Sequence, residues 1–93
     1  MTAADLRTVY DAIPAGEVVE VTDENLSLRT GLHTVNIRIG LSILERADIL
    51  QHLGEDGLRR MYRRNGWNPS RIEAAIASSR QHRQHRRVQL ENI

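Results

Sequence analysis

Apolar residues recur at helical spacing in four stretches of the chain and in strand-like runs in three others. Leu6, Val9, Tyr10 and Ile13 fall at i, i+3, i+4 and i+7, which predicts a helix stopped by Pro14 and opened by a capping-box pair, Thr2 and Asp5. Beyond the Pro14-Ala15-Gly16 turn, Glu17-Val18-Val19-Glu20-Val21-Thr22 is short and β-branched, the pattern of one small strand. Thr22 and Asp23 can cap a short helix ending near Thr30, with Gly31 as its left-handed exit. A further helix runs from about His33 to Ala47. Its apolar arc is wide, leaving Thr34, Arg38, Ser42 and Glu45 as the polar face with Arg46 at the edge.

Two runs, from Ile49 to Leu53 and from Leu58 to Arg64, then flank Gly54-Glu55-Asp56-Gly57 and read as a hairpin. A loop of those four residues pairs Leu53 with Leu58, Leu50 with Met61 and Ile49 with Tyr62. That register is preferred to a two-residue Asp-Gly loop, which would set Leu53 against Arg60. Asn68-Pro69 opens a last helix in the favoured order, cap and then Pro, and Ile72, Ala75 and Ile76 give it a core face. The face dissolves into a polar, arginine-rich stretch over 78–87 before Val88, Leu90 and Ile93 resume. No cap, Gly or Pro closes this element, so a continuation into a further domain is expected.

Composition narrows the picture. Ninety-three residues, 40% hydrophobic and 27% charged, suit one core. Aromatic content of 3%, with no Phe, argues against a sheet that stacks successive bases. The absence of Cys removes disulfides, thiolate nucleophiles and Cys-based zinc sites, and makes a reducing, cytoplasmic compartment the expectation. No apolar run reaches membrane-span length, and Met1 to Thr8 lack a secretory pattern, so no membrane partner is expected. The net charge of +1 hides a division. Residues 1–57 hold four Arg against ten acids, whereas residues 58–93 hold nine Arg against Glu73 and Glu91. Every cation is Arg, which fits a GC-rich genome and also makes the better fork for phosphate.

Helix, strand, helix, turn, helix and a two-stranded wing make an α+β winged helix-turn-helix: a three-helix core, a small strand and a wing over 1–67, with a long basic helix over 68–93. The turn segment, Leu26-x-x-x-Thr30-Gly31-Leu32 followed by Ile37, Gly40-Leu41, Leu44-Glu45 and Ala47-Asp48-Ile49-Leu50, resembles the common bacterial pattern of that superfamily. It departs in carrying apolar Val35 and Ile39 where DNA-reading members have outward polar residues. Separately, Arg83-Gln84-His85-Arg86-Arg87-Val88-Gln89-Leu90-Glu91-Asn92-Ile93 resembles the basic helix that leads into the zinc region of RecQ-family DNA helicases. In that family the winged helix usually follows the zinc region, whereas here it would precede it. The resemblance implies an accessory, non-catalytic DNA-binding domain of a RecQ-like ATP-dependent helicase, acting in DNA repair and packing on motor domains elsewhere in the longer protein.

The residues expected to meet DNA are Thr34, Arg38 and Ser42 on the third helix, Arg59, Arg60, Arg63 and Arg64 on the wing, and Arg80, Arg83, Arg86 and Arg87 on the last helix. Alternation divides the wing arginines between two faces, so one or two of them are structural or merely solvated. The third-helix stripe is thin for base reading, which favours contact with the phosphate backbone. Operator binding by a stand-alone winged-helix transcription regulator is the alternative, and protein docking through Val35, Ile39 and Ile43 a third. That stripe suits either the core or an interface. His82 and His85 stand at i, i+3, with His33 and His52 elsewhere and no carboxylate at matching spacing. Trp67 reads as a core anchor at the hairpin exit. With no nucleophile beside a base and no phosphate-cradling glycine pattern, the expectation is neither catalysis nor metal nor cofactor, in a monomeric isolated domain.

Overall fold

A computed structural model describes residues 1–16 and 18–79. Helix α1 (Ala3–Ala12) begins at Thr2, whose hydroxyl accepts from the Asp5 amide while the Asp5 carboxylate accepts from the Thr2 amide, both at 3.2 Å. The expected strand shrinks to β1 (Val19–Val21), with Val19 and Val21 buried and Glu20 outward; Glu17 lies outside the described residues. Helix α2 (Asp23–Thr30) is capped by the Thr22 hydroxyl, which accepts from the Asn25 amide at 3.1 Å. Gly31 ends it at φ 75°, a conformation in which a Cβ is strained, and its amide donates to Ser27 O at 2.9 Å.

Helix α3 (Thr34–Arg46) buries Ile37, Gly40, Leu41, Ile43 and Leu44. It closes in a Schellman arrangement, with the Asp48 amide on Glu45 O at 3.0 Å and the Ile49 amide on Leu44 O at 2.9 Å. Asp48 takes the left-handed conformation at φ 60°. Its carbonyl accepts from the Asn65 side-chain amide at 3.0 Å, and its carboxylate from Arg71 at 3.2 Å, so side chains from two later segments hold a conformation that Gly usually fills. The Val35, Ile39, Ile43 stripe divides rather than acting as a unit. Ile43 is buried, Ile39 packs half-covered against the core, and Val35 is 53% exposed.

Strands β2 (Leu50–Asp56) and β3 (Arg59–Arg64) complete an antiparallel sheet in the order β1-β3-β2. Neither expected hairpin register forms. The loop is Gly57-Leu58, with Gly57 at φ 63°, and the pairs are Asp56 with Arg59, Glu55 with Arg60, Gly54 with Met61, His52 with Tyr62, Gln51 with Arg63 and Leu50 with Arg64. Leu53 is a bulge between His52 and Gly54. Matching apolar to apolar would have shortened the ladder. The observed register lengthens it and opposes charges across the strands, as in Glu55 with Arg60 and Asp56 with Arg59, while leaving Leu58 84% and Leu53 38% exposed.

The last helix, α4 (residues 69–79), starts at Asn68, whose side-chain oxygen accepts from the Arg71 amide at 3.2 Å. Ile72 and Ala75 join the core formed by Leu6, Val9, Ile13, Leu26, Leu41 and Leu44, with Ile76 and Trp67 packed at its margin. Trp67 meets the Tyr10 ring at 5.2 Å, and the Arg7 guanidinium lies 5.0 Å from the Trp67 centroid. The described chain is thus an α+β fold of four helices and one three-stranded antiparallel sheet.

Because Ile72 is 1% exposed within this shared core, Ile72→Ala should lower the stability of the whole unit by about 2–5 kcal/mol. Urea unfolding followed at Trp67 should show one cooperative transition moved to lower denaturant. An unmoved transition would mean that α4 does not share the core.

Candidate nucleic-acid interface

On β3 the side chains alternate as expected, with Arg60, Tyr62 and Arg64 toward the helices and Arg59, Met61 and Arg63 on the outer face. The inner arginines are held. The Arg64 guanidinium donates to Ile13 O at 3.1 Å and to Tyr10 O at 3.5 Å, the carbonyls at the end of α1, and lies 4.6 Å from the Tyr10 centroid. Its position is that of a structural cation.

Arg60 and Arg38 are brought together by one carboxylate. Arg38 Nε donates to Asp23 Oδ2 at 2.7 Å, and Arg60 Nη1 lies 3.4 Å from Asp23 Oδ1. The Asp23 side chain is only 15% exposed, and its Oδ1, within reach of Arg60, accepts no hydrogen bond among the described residues. The Arg60 side chain is 26% exposed and that of Arg38 65%. The trio ties α2, α3 and β3 together and carries one net positive charge. Sequence reasoning gave Asp23 only a capping role; the sole hint of another was that Thr22 already supplies the cap, which leaves the neighbouring carboxylate spare.

Thr34 stands one helical turn before Arg38. Both line a cleft of about 210 Å³ with Thr22, Asp23, Glu24 and Leu58, so the hairpin tip and the first half of α3 border the same cleft. Ser42 is one turn further along and half-buried. Glu45, on the polar face of the same helix, is turned to His52, with Oε1 3.5 Å from Nδ1. On the outer sheet face, Arg59 lies 3.6 Å from Glu20 with both side chains at least 60% exposed, a pairing worth about 0–1 kcal/mol in water. Arg63 is exposed on the same face. The structure thus joins Arg38 with Arg60 and sets Arg59 with Arg63, but does not gather the four wing arginines onto one surface. Arg80, Arg83, Arg86 and Arg87 lie outside the described residues, as do His82 and His85. Among the described residues no group of three or more His, Cys, Asp or Glu side chains converges as a metal site would require, and no helix is long and apolar enough to cross a membrane.

Burial raises the Tyr62 phenol above its ordinary value of 10.0; the Glu45 carboxylate adds to this, and Arg60 opposes it. The fold therefore favours the protonated phenol. The corresponding stability is complete below the unfolded value and is lost as pH climbs through the raised folded one. Thermal unfolding followed from about pH 9 to 11 should show a falling midpoint, and Tyr62→Phe should flatten that fall. An equally steep decline in the Phe variant would assign it to other groups.

Comparison of the chain with protein-family models, curated proteins and solved structures returns no match.

Proposed function

We propose that the chain is a winged-helix nucleic-acid-binding module that grips the phosphate backbone without catalysing a reaction, with α3 as the helix that faces the groove and the β2–β3 hairpin as the wing. The observation that carries this reading is the convergence of the wing tip, Leu58, on Thr34 and Arg38 of α3. A duplex lying there would meet a helix and a hairpin together, which is how such modules dock. The strand order β1-β3-β2 and the sequence of elements support the same fold. Arg38, Arg46, Arg59 and Arg63 are the described arginines exposed on these two elements, Arg46 at the far end of α3 from the cleft, with Arg80, Arg83, Arg86 and Arg87 proposed to extend the basic surface. Arg60 and Arg64 take structural roles.

Phosphate contact is favoured over base reading. Beside Arg38 the α3 stripe offers two hydroxyls, Thr34 in the cleft and Ser42 half-buried, a poor set for discriminating base pairs. The resemblance of residues 83–93 to the basic helix of RecQ-family proteins supports reading the module as an accessory part of a RecQ-like ATP-dependent helicase, whose motor would lie in other domains. A protein-docking use is favoured by the exposure of Leu28 at 87% and Val35 at 53%, both apolar and on the two helices of the turn.

Titration of the chain with fluorescent forked and linear duplex DNA at several salt concentrations tests the proposal. With four or five arginines on phosphates, the logarithm of affinity should fall against the logarithm of salt with a slope of roughly −4. Arg63→Glu should weaken all DNAs alike and make the slope shallower by about 1. Salt-insensitive affinity, or none at low salt, would overturn the reading. Loss confined to one DNA sequence on Arg38→Ala would instead favour an operator-reading regulator.

A further inference from the structure

Asp23 is one of two acids, with the exposed Glu24, in the cleft beside Arg38, and capping does not explain it, because the Thr22 hydroxyl already accepts from the Asn25 amide. We propose that Asp23 is a positioning residue for nucleic-acid binding: by holding Arg38 through Nε, it presents the guanidinium's two terminal nitrogens outward as a pre-set fork for a phosphate. The inference rests on reading this face as a phosphate-binding surface.

Three observations carry it. The 2.7 Å bond to Asp23 engages Nε, the nitrogen nearest the stem, and it is the one side-chain hydrogen bond Arg38 makes among the described residues. The Arg38 side chain nevertheless stays 65% exposed, so its tip is turned to solvent rather than consumed by the pair. The carboxylate itself is anchored: it is 15% exposed, sits in the first turn of α2 where the helix dipole favours an anion, and has Arg60 3.4 Å from its other oxygen. Arg60, only 26% exposed, is placed to balance the carboxylate rather than to reach a ligand. A free arginine surrenders rotamer freedom when it grips a phosphate, and one already fixed at Nε surrenders less. Two guanidinium groups to one carboxylate leave the trio one net positive charge, with the exposed Glu24 beside it in the cleft, so it is the direction of the Arg38 fork rather than excess charge that the pairing supplies. If the acid merely masked Arg38, its removal would strengthen binding, so the sign of the effect separates the two roles.

The test is fluorescence anisotropy of a labelled duplex with the full chain and four variants. Asp23→Ala should weaken binding roughly three- to ten-fold, the share of side-chain ordering that pre-fixing saves, and leave the salt slope unchanged because no phosphate contact is lost. Asp23→Asn, which keeps an acceptor for Nε, should retain most of the affinity. In an Arg38→Gln background, Asp23→Ala should have no further effect, a non-additivity that a general structural role would not give. Where the Ala variant fails to fold by circular dichroism, Arg38→Lys decides: it keeps the charge, lacks the Nε anchor and should bind more weakly. Unchanged or tighter binding by Asp23→Ala, an equal loss in the Arg38→Gln background, or unchanged binding by Arg38→Lys overturns the inference. Wild-type binding with any of these results overturns this inference alone, whereas no binding by the wild type at low salt overturns the reading of the face as well.

Discussion

Strand β3 can bury only one face, and the face that carries Tyr62 carries Arg60 and Arg64 with it. Its sequence, Arg-Arg-Met-Tyr-Arg-Arg, offers the core one large ring flanked by two cations. Tyr62 goes in, at 1% exposure, and the structure must then satisfy a guanidinium on either side of it. At one end Arg64 finds the terminal carbonyls of α1 and the ring of Tyr10. At the other, Arg60 finds Asp23. The central strand is thereby tied to α1 and α2 by charge as well as by packing, and the positions of α1 and α2 relative to the sheet follow from it.

The same constraint limits what the basic half of the chain can offer a ligand. Nine arginines against two acids over residues 58–93 suggest a broad cationic surface, but charge counted along a strand is divided by alternation before it reaches solvent. Two of the four wing arginines serve the interior, and a third, Arg59, faces Glu20. The stripe on α3 is governed by a similar economy. Its one cation, Arg38, is held from beneath by Asp23, and its acidic neighbour Glu45 is turned to His52.

Features set by neighbours within about four residues were legible in the sequence. The Thr2–Asp5 box, the Thr22 cap, the left-handed Gly31 and the Asn68 start each depend on side chains that reach only their own backbone turn. The hairpin register was not legible, because it depends on the summed energy of a whole ladder rather than on any one apolar pair. Adding the Asp56–Arg59 and Glu55–Arg60 steps outweighed the burial of Leu53 and Leu58, and a bulge at Leu53 absorbed the resulting misfit. The divided fate of Val35, Ile39 and Ile43 has a related cause. A helical wheel gives an angle but not how far along the axis the covering elements extend, and Val35 stands in the first turn of α3, beyond their reach. Asp23 was illegible as a bridging residue for a third reason: its partners, Arg38 and Arg60, are remote in sequence and meet it only once the sheet has formed.

The contrast between the acidic first half and the basic remainder is therefore first a property of folding. Glu20 faces Arg59, Asp23 faces Arg60 and Asp48 faces Arg71, each pair joining one side of the division to the other. What separates these pairs is burial. The Glu20–Arg59 pair stands in water, where the attraction is screened and a phosphate can replace the carboxylate at little cost. Arg71 and Asp48, both more than half exposed, fall in the same class. The Asp23 carboxylate is only 15% exposed, and stripping Arg38 from it would leave the charge in a poorly hydrated place with Arg60, 3.4 Å away, as its remaining partner. On the proposed reading, a polyanion approaching this face would recruit Arg59 by exchange, but would use Arg38 only with its anchor left in place. The exposed pairs would then set how many charges can be lent to a ligand, and the partly buried Asp23 carboxylate would set the geometry in which Arg38 is presented.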